Sequence, residues 1–156
     1  GTGVPLDEAM LYFDARLSRN YPTVEIRVSD ICLRAADAVL TAALARPLAD
    51  PAAGQGRAGL PPAPVPSSIL RLAMWQASKD GLEGNLLSPV SNEPVPAAEA
   101  VAMLMDPVRD ALRRHGDEEG AEFLLAGLLR RGTGAVEQRR AAGRSGLPGQ
   151  LVAESV

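Results

Sequence analysis

From Pro22 to Ser29 the side chains alternate, with Val24, Ile26 and Val28 on one side and Thr23, Glu25, Arg27 and Ser29 on the other. Period-2 alternation rich in β-branched residues is the signature of a strand with one buried face, and it excludes a helix over these residues. Residues 10–17, M-L-Y-F-D-A-R-L, precede it, separated by the polar connection Ser18, Arg19, Asn20 and Tyr21. Two short strands with so brief a link predict an antiparallel hairpin. If Leu17 pairs with Pro22, Asp14 falls opposite Glu25, Tyr12 opposite Arg27 and Arg16 opposite Thr23. The other face then holds Leu11, Phe13, Ala15, Leu17, Val24, Ile26 and Val28, a candidate core surface. A register error of two residues preserves these faces, whereas an error of one inverts a strand.

Beyond the hairpin the pattern turns helical. Residues 34–46 place Ala36, Val39, Leu40 and Ala43 on one stripe, and Pro47 is expected to end or kink that helix. Residues 47–66 are crowded with Pro47, Pro51, Pro61, Pro62, Pro64 and Pro66, and read as a loop. A helix over 69–79 is expected, capped by Ser67 or Ser68 and stopped at Gly81. Residues 82–96 read as a turn-rich connection. Helices follow over 97–115, with Pro107 as an expected kink, from Asp117 to Arg131, over 134–142 and over 148–155. The expected fold class is α+β: a hairpin within 1–33, a helix over 34–46, a Pro/Gly-rich loop over 47–66 and a helical remainder over 67–156.

Composition narrows the function. The 156 residues carry 16 Lys+Arg against 19 Asp+Glu, a net charge of −3. A nucleic-acid binder ordinarily shows a basic excess, so no nucleic-acid partner is expected. One cysteine, Cys32, cannot form a disulfide within the chain and suits a reducing, cytoplasmic setting. One histidine, His115, excludes a multi-histidine metal site. No apolar run reaches the roughly 18–20 residues of a membrane span, and no membrane partner is expected. The first residue is Gly1 rather than Met, as in a fragment or a processed chain.

The polar hairpin face is where chemistry is expected. Two facing carboxylates destabilise a sheet unless a cation or neighbouring arginines relieve them. A solvated, salt-bridged face satisfies that demand, and so does a site for Mg²⁺ and phosphate. Mg²⁺ takes one or two carboxylates together with phosphate oxygens and water, and arginine binds phosphate through two parallel hydrogen bonds.

The residues of that face belong to a longer run. F-D-A-R-L-S-x-x-Y-P-T-V-E-I-R-V-S-D (13–30), D-A-V-L (37–40), V-P-S-S-I-L-R-L-A-M-W-Q-A-S-K-D-G-L-E-G (65–84) and R-G-T-G-A-V-E-Q-R (131–139) together resemble the type 2 glutamate–cysteine ligases. These are bacterial ATP-dependent carboxylate–amine ligases, and the resemblance is to their C-terminal portion. It implies part of a glutamine-synthetase-like catalytic fold, with ATP and Mg²⁺ as cofactors. It implies Glu25 as the metal ligand, Arg27 as the catalytic arginine on the transferred phosphoryl group, and Asp14, Arg16 and Arg27 as substrate- or ATP-binding residues. The implied partners are ATP, glutamate and an amine such as cysteine, with either the missing N-terminal portion or a second copy completing the site. This chain alone would then be inactive. The sequence departs from the family at Gln76 and Lys79, where members tend to carry arginine, and in its proline-crowded 47–66 stretch. The competing reading is a non-catalytic α+β interaction or regulatory module that retains the fold.

Other signals carry less. Gly54, Gly56 and Gly59 fit G-x-G-x-x-G, but no strand precedes them and Leu-Pro-Pro follows, so no phosphate loop is expected. Cys32, Trp75, Met103 and Met105 read as core, and His115 as a last-turn residue. Arg130, Arg131, Arg139, Arg140 and Arg144 lack interleaved aromatics and read as solvated helix ends.

Overall fold

A computed structural model describes residues 14–145, and the expected helix over 148–155 lies outside the described residues. The chain divides after Cys32 into two compact units. The fold class is α+β, an antiparallel hairpin followed by helices.

In the first unit β1 (Ala15–Leu17) pairs antiparallel with β2 (Val24–Ile26). The strands are shorter than the alternation suggested, and the register differs by two residues. Arg16, not Asp14, faces Glu25; Ala15 faces Ile26 and Leu17 faces Val24. The Arg27 N–H donates to the Asp14 carbonyl at 2.7 Å, extending the same register. Pro22 supplies the reason. It has no N–H to give a ladder and sits instead in a tight turn, where the Thr23 N–H reaches the Tyr21 carbonyl at 2.7 Å. The Ser18 N–H then closes the loop on the Thr23 carbonyl at 2.9 Å. The shift replaces two facing carboxylates by an ion pair and leaves the faces as expected. The apolar face, however, is not a core: Leu17 is 80% exposed, and Val24, Ile26 and Val28 are exposed as well. Tyr12, Leu11 and Phe13 lie outside the described residues.

In the second unit α1 (Ala35–Arg57) runs straight through Pro47 and Pro51, so the predicted stop at 46 and the loop from 47 are overturned. Each proline removes one helical hydrogen bond, but tertiary packing outweighs that loss. Leu40 and Pro47, seven residues apart on one face, are both buried. An ion pair from Arg46 to Asp117 and a hydrogen-bond contact between Asp50 Oδ2 and His115 Nε2 at 3.3 Å flank the proline. The helix ends at the glycine pattern. The Leu60 N–H donates to the Gln55 carbonyl and the Gly59 N–H to the Gly56 carbonyl, with Gly59 at φ +68°. That is the six-to-one and five-to-two bonding of a helix terminus, and it rules the pattern out as a phosphate loop.

The helix α2 (Ser67–Asp80) starts two residues early, behind Pro66, so neither Ser67 nor Ser68 caps it. It buries no residue fully, and Trp75, expected in the core, is 59% exposed with the Lys79 ammonium 5.3 Å from its ring centre. A second hairpin then interrupts the region read as a connection and as purely helical: β3 (Asn85–Leu87) pairs with β4 (Pro94–Pro96). The prolines of β4 hid it, since a strand carrying two of them cannot bond fully on both edges.

The remaining helices follow the sequence closely: α3 (Ala97–His115), α4 (Glu118–Arg131) and α5 (Gly134–Ser145). Pro107 stays within α3 on its exposed side, where the carbonyl it orphans can reach water. Gly116, at φ +74°, ends α3 with the same pair of terminal bonds seen at Gly59. Asp117 precedes α4 but makes no side-chain cap, because its carboxylate pairs with Arg46. The core lies among α1, α3 and α4. Leu40, Met105, Val108, Leu112 and Ala121 are buried there, with Leu44, Leu124, Leu125 and Leu128 packed around them.

Candidate functional site

The polar face of the first hairpin brings two of the four predicted site residues into direct contact. Arg16 Nε donates to Glu25 Oε2 at 2.9 Å across the strands, with the two side chains 22% and 39% exposed. That hydrogen bond, joined by the charges of Arg16 and Arg27, holds the Glu25 carboxyl below the usual carboxylate range, against the opposing pull of burial. Glu25 therefore stays ionised at neutral pH, which any cation ligand requires. Asp14 and Arg27 meet through the backbone bond described above, and both are exposed. The alternation had already placed Asp14, Arg16, Glu25 and Arg27 on one face. An arginine relieving the acids of this face was expected; what the expected register missed is that Arg16 stands directly opposite Glu25, and the absent Pro22 N–H was the signal that could have found it.

Among the described residues no group of three or more His, Cys, Asp or Glu side chains could hold a metal ion. Glu25 offers one carboxylate with Oε2 already bonded to Arg16. The Mg²⁺ that the resemblance implies would draw the rest of its shell from groups other than the described side chains of this hairpin, since it commonly takes one or two carboxylates with phosphate oxygens and water.

The stretch 131–139 serves a different purpose. Arg131 Nε donates to Glu137 Oε1 at 3.0 Å, and its Nη2 contacts Asp37 Oδ1. Arg34 donates to the same Glu137 carboxylate from Nε and Nη2, at 3.1 and 2.8 Å. The carboxyl of Glu137 is held below the ordinary glutamate value, first by the Arg34 hydrogen bond. This network joins the start of α1, the end of α4 and the first turn of α5. Arg139 pairs with Glu83 at 2.8 Å and Arg140 donates to the Arg131 carbonyl. Three members of the arginine strip, Arg131, Arg139 and Arg140, are thus engaged within the fold. Cys32, expected to be buried, is free and half-exposed, with Sγ 4.0 Å from the Asp30 carbonyl. His115 sits in the last turn of α3, as expected.

Comparison with known proteins assigns the family. The model for "Glutamate-cysteine ligase family 2(GCS2)" matches residues 2–153. The chain belongs to this family. It is 49% identical over 144 residues to a Paenarthrobacter aurescens protein named "Putative glutamate--cysteine ligase 2-1", covering 92% of this chain and 38% of that one. A Streptomyces avermitilis protein of the same name is 49% identical over 155 residues, 99% of this chain and 43% of its own length. A Rhodopirellula baltica relative, "Putative glutamate--cysteine ligase 2", is 34% identical over 154 residues, 99% of this chain and 41% of its own. The chain therefore spans about two-fifths of the length of these relatives. No solved structure matches. Among the described residues no helix is long and apolar enough to cross a membrane.

Proposed function

We propose that this chain is the C-terminal portion of the catalytic domain of an ATP-dependent carboxylate–amine ligase of the glutamate–cysteine ligase type. The family match across residues 2–153 carries the reading. A glutamate carboxylate oxygen attacks the terminal phosphorus of ATP and releases ADP. An amine such as that of cysteine then attacks the acyl carbon of the resulting acyl phosphate, phosphate departs, and the nitrogen loses a proton to leave an amide. Glu25 would hold magnesium in part, and the ion would supply charge neutralisation on the phosphates. Arg27 stabilises charge developing on the transferred phosphoryl group, and Asp14 and Arg16 line the same face for ATP and substrate.

The exposure of Leu17, Val24, Ile26 and Val28 supports an incomplete sheet. An apolar strand face is what a further portion of a larger sheet would cover. The N-terminal portion, in cis or from a second copy, completes the site in this reading, and the chain alone is inactive. The consumption of ATP and the free Cys32 agree with a reducing cytoplasm.

The test is ADP release dependent on glutamate and cysteine, measured on a protein that joins this chain to its N-terminal portion. Arg27→Ala is expected to cost about 10²–10³ in rate while the circular dichroism stays unchanged. A rate within a few-fold of the parent would remove Arg27 from the chemistry. No turnover in the parent, with any carboxylate and amine pair, would favour the non-catalytic module.

A further inference from the structure

Two helices of the second unit each leave an aromatic stripe uncovered. On α2, Ser68, Leu72, Trp75 and Lys79 follow at steps of four, three and four residues, which is one face of a helix. The helix packs against β3 with Ile69, Ala73 and Met74 half-buried, while Leu72 and Trp75 stay 45% and 59% exposed. Lys79 Nζ lies over the Trp75 ring and 3.4 Å from Asp80 Oδ1. On α4, Ala121, Leu124, Leu125 and Leu128 belong to the core. The opposite face carries Glu119, Phe123, Ala126 and Arg130, all exposed, at the same steps of four, three and four. Phe123 is 73% exposed, and a Cβ at the neighbouring Gly120 would meet nothing within 4 Å, so the ring stands over open space.

The stripes are complementary when run antiparallel. With Trp75 opposite Phe123, Lys79 falls opposite Glu119, Leu72 opposite Ala126 and Ser68 opposite Arg130. Equal spacing brings all four pairs into register at once, as along the seam of a coiled coil. The centre is an aromatic pair, and one end joins opposite charges. Both rings are exposed, so they do not cover each other within one copy.

We propose that α2 of one copy docks antiparallel on α4 of a second copy, with Trp75 on Phe123 and Lys79 on Glu119. Each copy carries both faces, so a two-fold pair of copies forms the seam twice. The contact stands apart from the ligase chemistry, since neither helix holds a candidate site residue.

The experiment follows mass by sedimentation across protein concentration, on the protein that joins this chain to its N-terminal portion, with the 156-residue chain run alongside. Concentration-dependent association of the longer protein is expected. Lys79→Glu and Glu119→Lys each set like charges against each other, and each should weaken association about tenfold. An equimolar mixture of the two variants pairs Glu at 79 of one copy with Lys at 119 of the other, and Lys79 with Glu119 at the second seam. The mixture is therefore expected to regain the parental affinity, a recovery that misfolded variants could not show. Phe123→Ala should weaken association by about tenfold or more. A longer protein that stays monomeric, or that associates regardless of both reversals, overturns the docking. So does a mixture that recovers nothing. Association confined to the 156-residue chain would show that the N-terminal portion covers these faces, and it overturns the docking as well.

Discussion

The two hairpins share a plan and differ in everything that surrounds it. Each has three-residue antiparallel strands joined by a compact loop, over residues 18–23 in one and 88–93 in the other. In β3–β4 the loop folds around Ser88, 2% exposed, whose hydroxyl accepts from the N–H groups of Val90 and Ser91 and contacts the Met103 sulfur at 3.5 Å. Leu86 and Leu87 are half-buried, and the hairpin packs against α2 and α3. In β1–β2 the apolar side chains are the exposed ones, and the half-buried pair is Arg16 with Glu25. A hairpin that stabilises a domain turns its apolar side chains inward and saturates its loop. A hairpin that presents a charged face invests its order in holding charges in place. The second arrangement is weak as architecture and suited to a ligand.

This contrast can be broken or sharpened by mutation. The largest effect belongs to the helical core behind the second hairpin. Leu112→Ala removes a side chain 1% exposed between α1, α3 and α4, and should cost about 3 kcal/mol in chemical denaturation. Ser88→Ala should cost about 1–2 kcal/mol by depriving two loop N–H groups of their acceptor, with faster amide exchange at Val90 and Ser91. No change in that exchange would mean that the loop does not depend on the hydroxyl.

Glu137→Gln tests the tie between α1, α4 and α5. The carboxyl is held below the ordinary glutamate value in the folded chain. Its contribution is therefore fully present above that ordinary value, about 4.3, and is lost as the pH falls through the lower folded value. The variant should be less stable than wild type at pH 7, and the gap should close under acid. A gap that is constant from pH 7 to pH 3 would show that charge is not what Glu137 contributes. The smallest effect is expected at Ile26→Ala, within about 0.5 kcal/mol, because the side chain is substantially exposed. A core-sized cost there would reveal a covered face and remove the contrast between the hairpins.

How far the sequence could be read followed how local each signal was. The spans of α3 and α4 and the face assignment of the first hairpin were legible, because each depends on residues within a few positions. The candidate residues Asp14, Arg16, Glu25 and Arg27 were legible as a group for the same reason. Their pairing was not, since a two-residue slip keeps every side chain on its face and only the loop distinguishes the registers. The continuation of α1 through Pro47 was illegible because its compensation comes from α3 and α4. The hairpin β3–β4 was hidden by prolines that are tolerated only on strand edges left unpaired.

By itself the sequence determined the alternation of the first hairpin, the spans of α3 and α4 and the family, because these depend on side-chain type and spacing along the chain. Tertiary structure alone decided that prolines would sit inside a helix and that Trp75 would face outward. In both cases the deciding energy comes from groups distant in sequence.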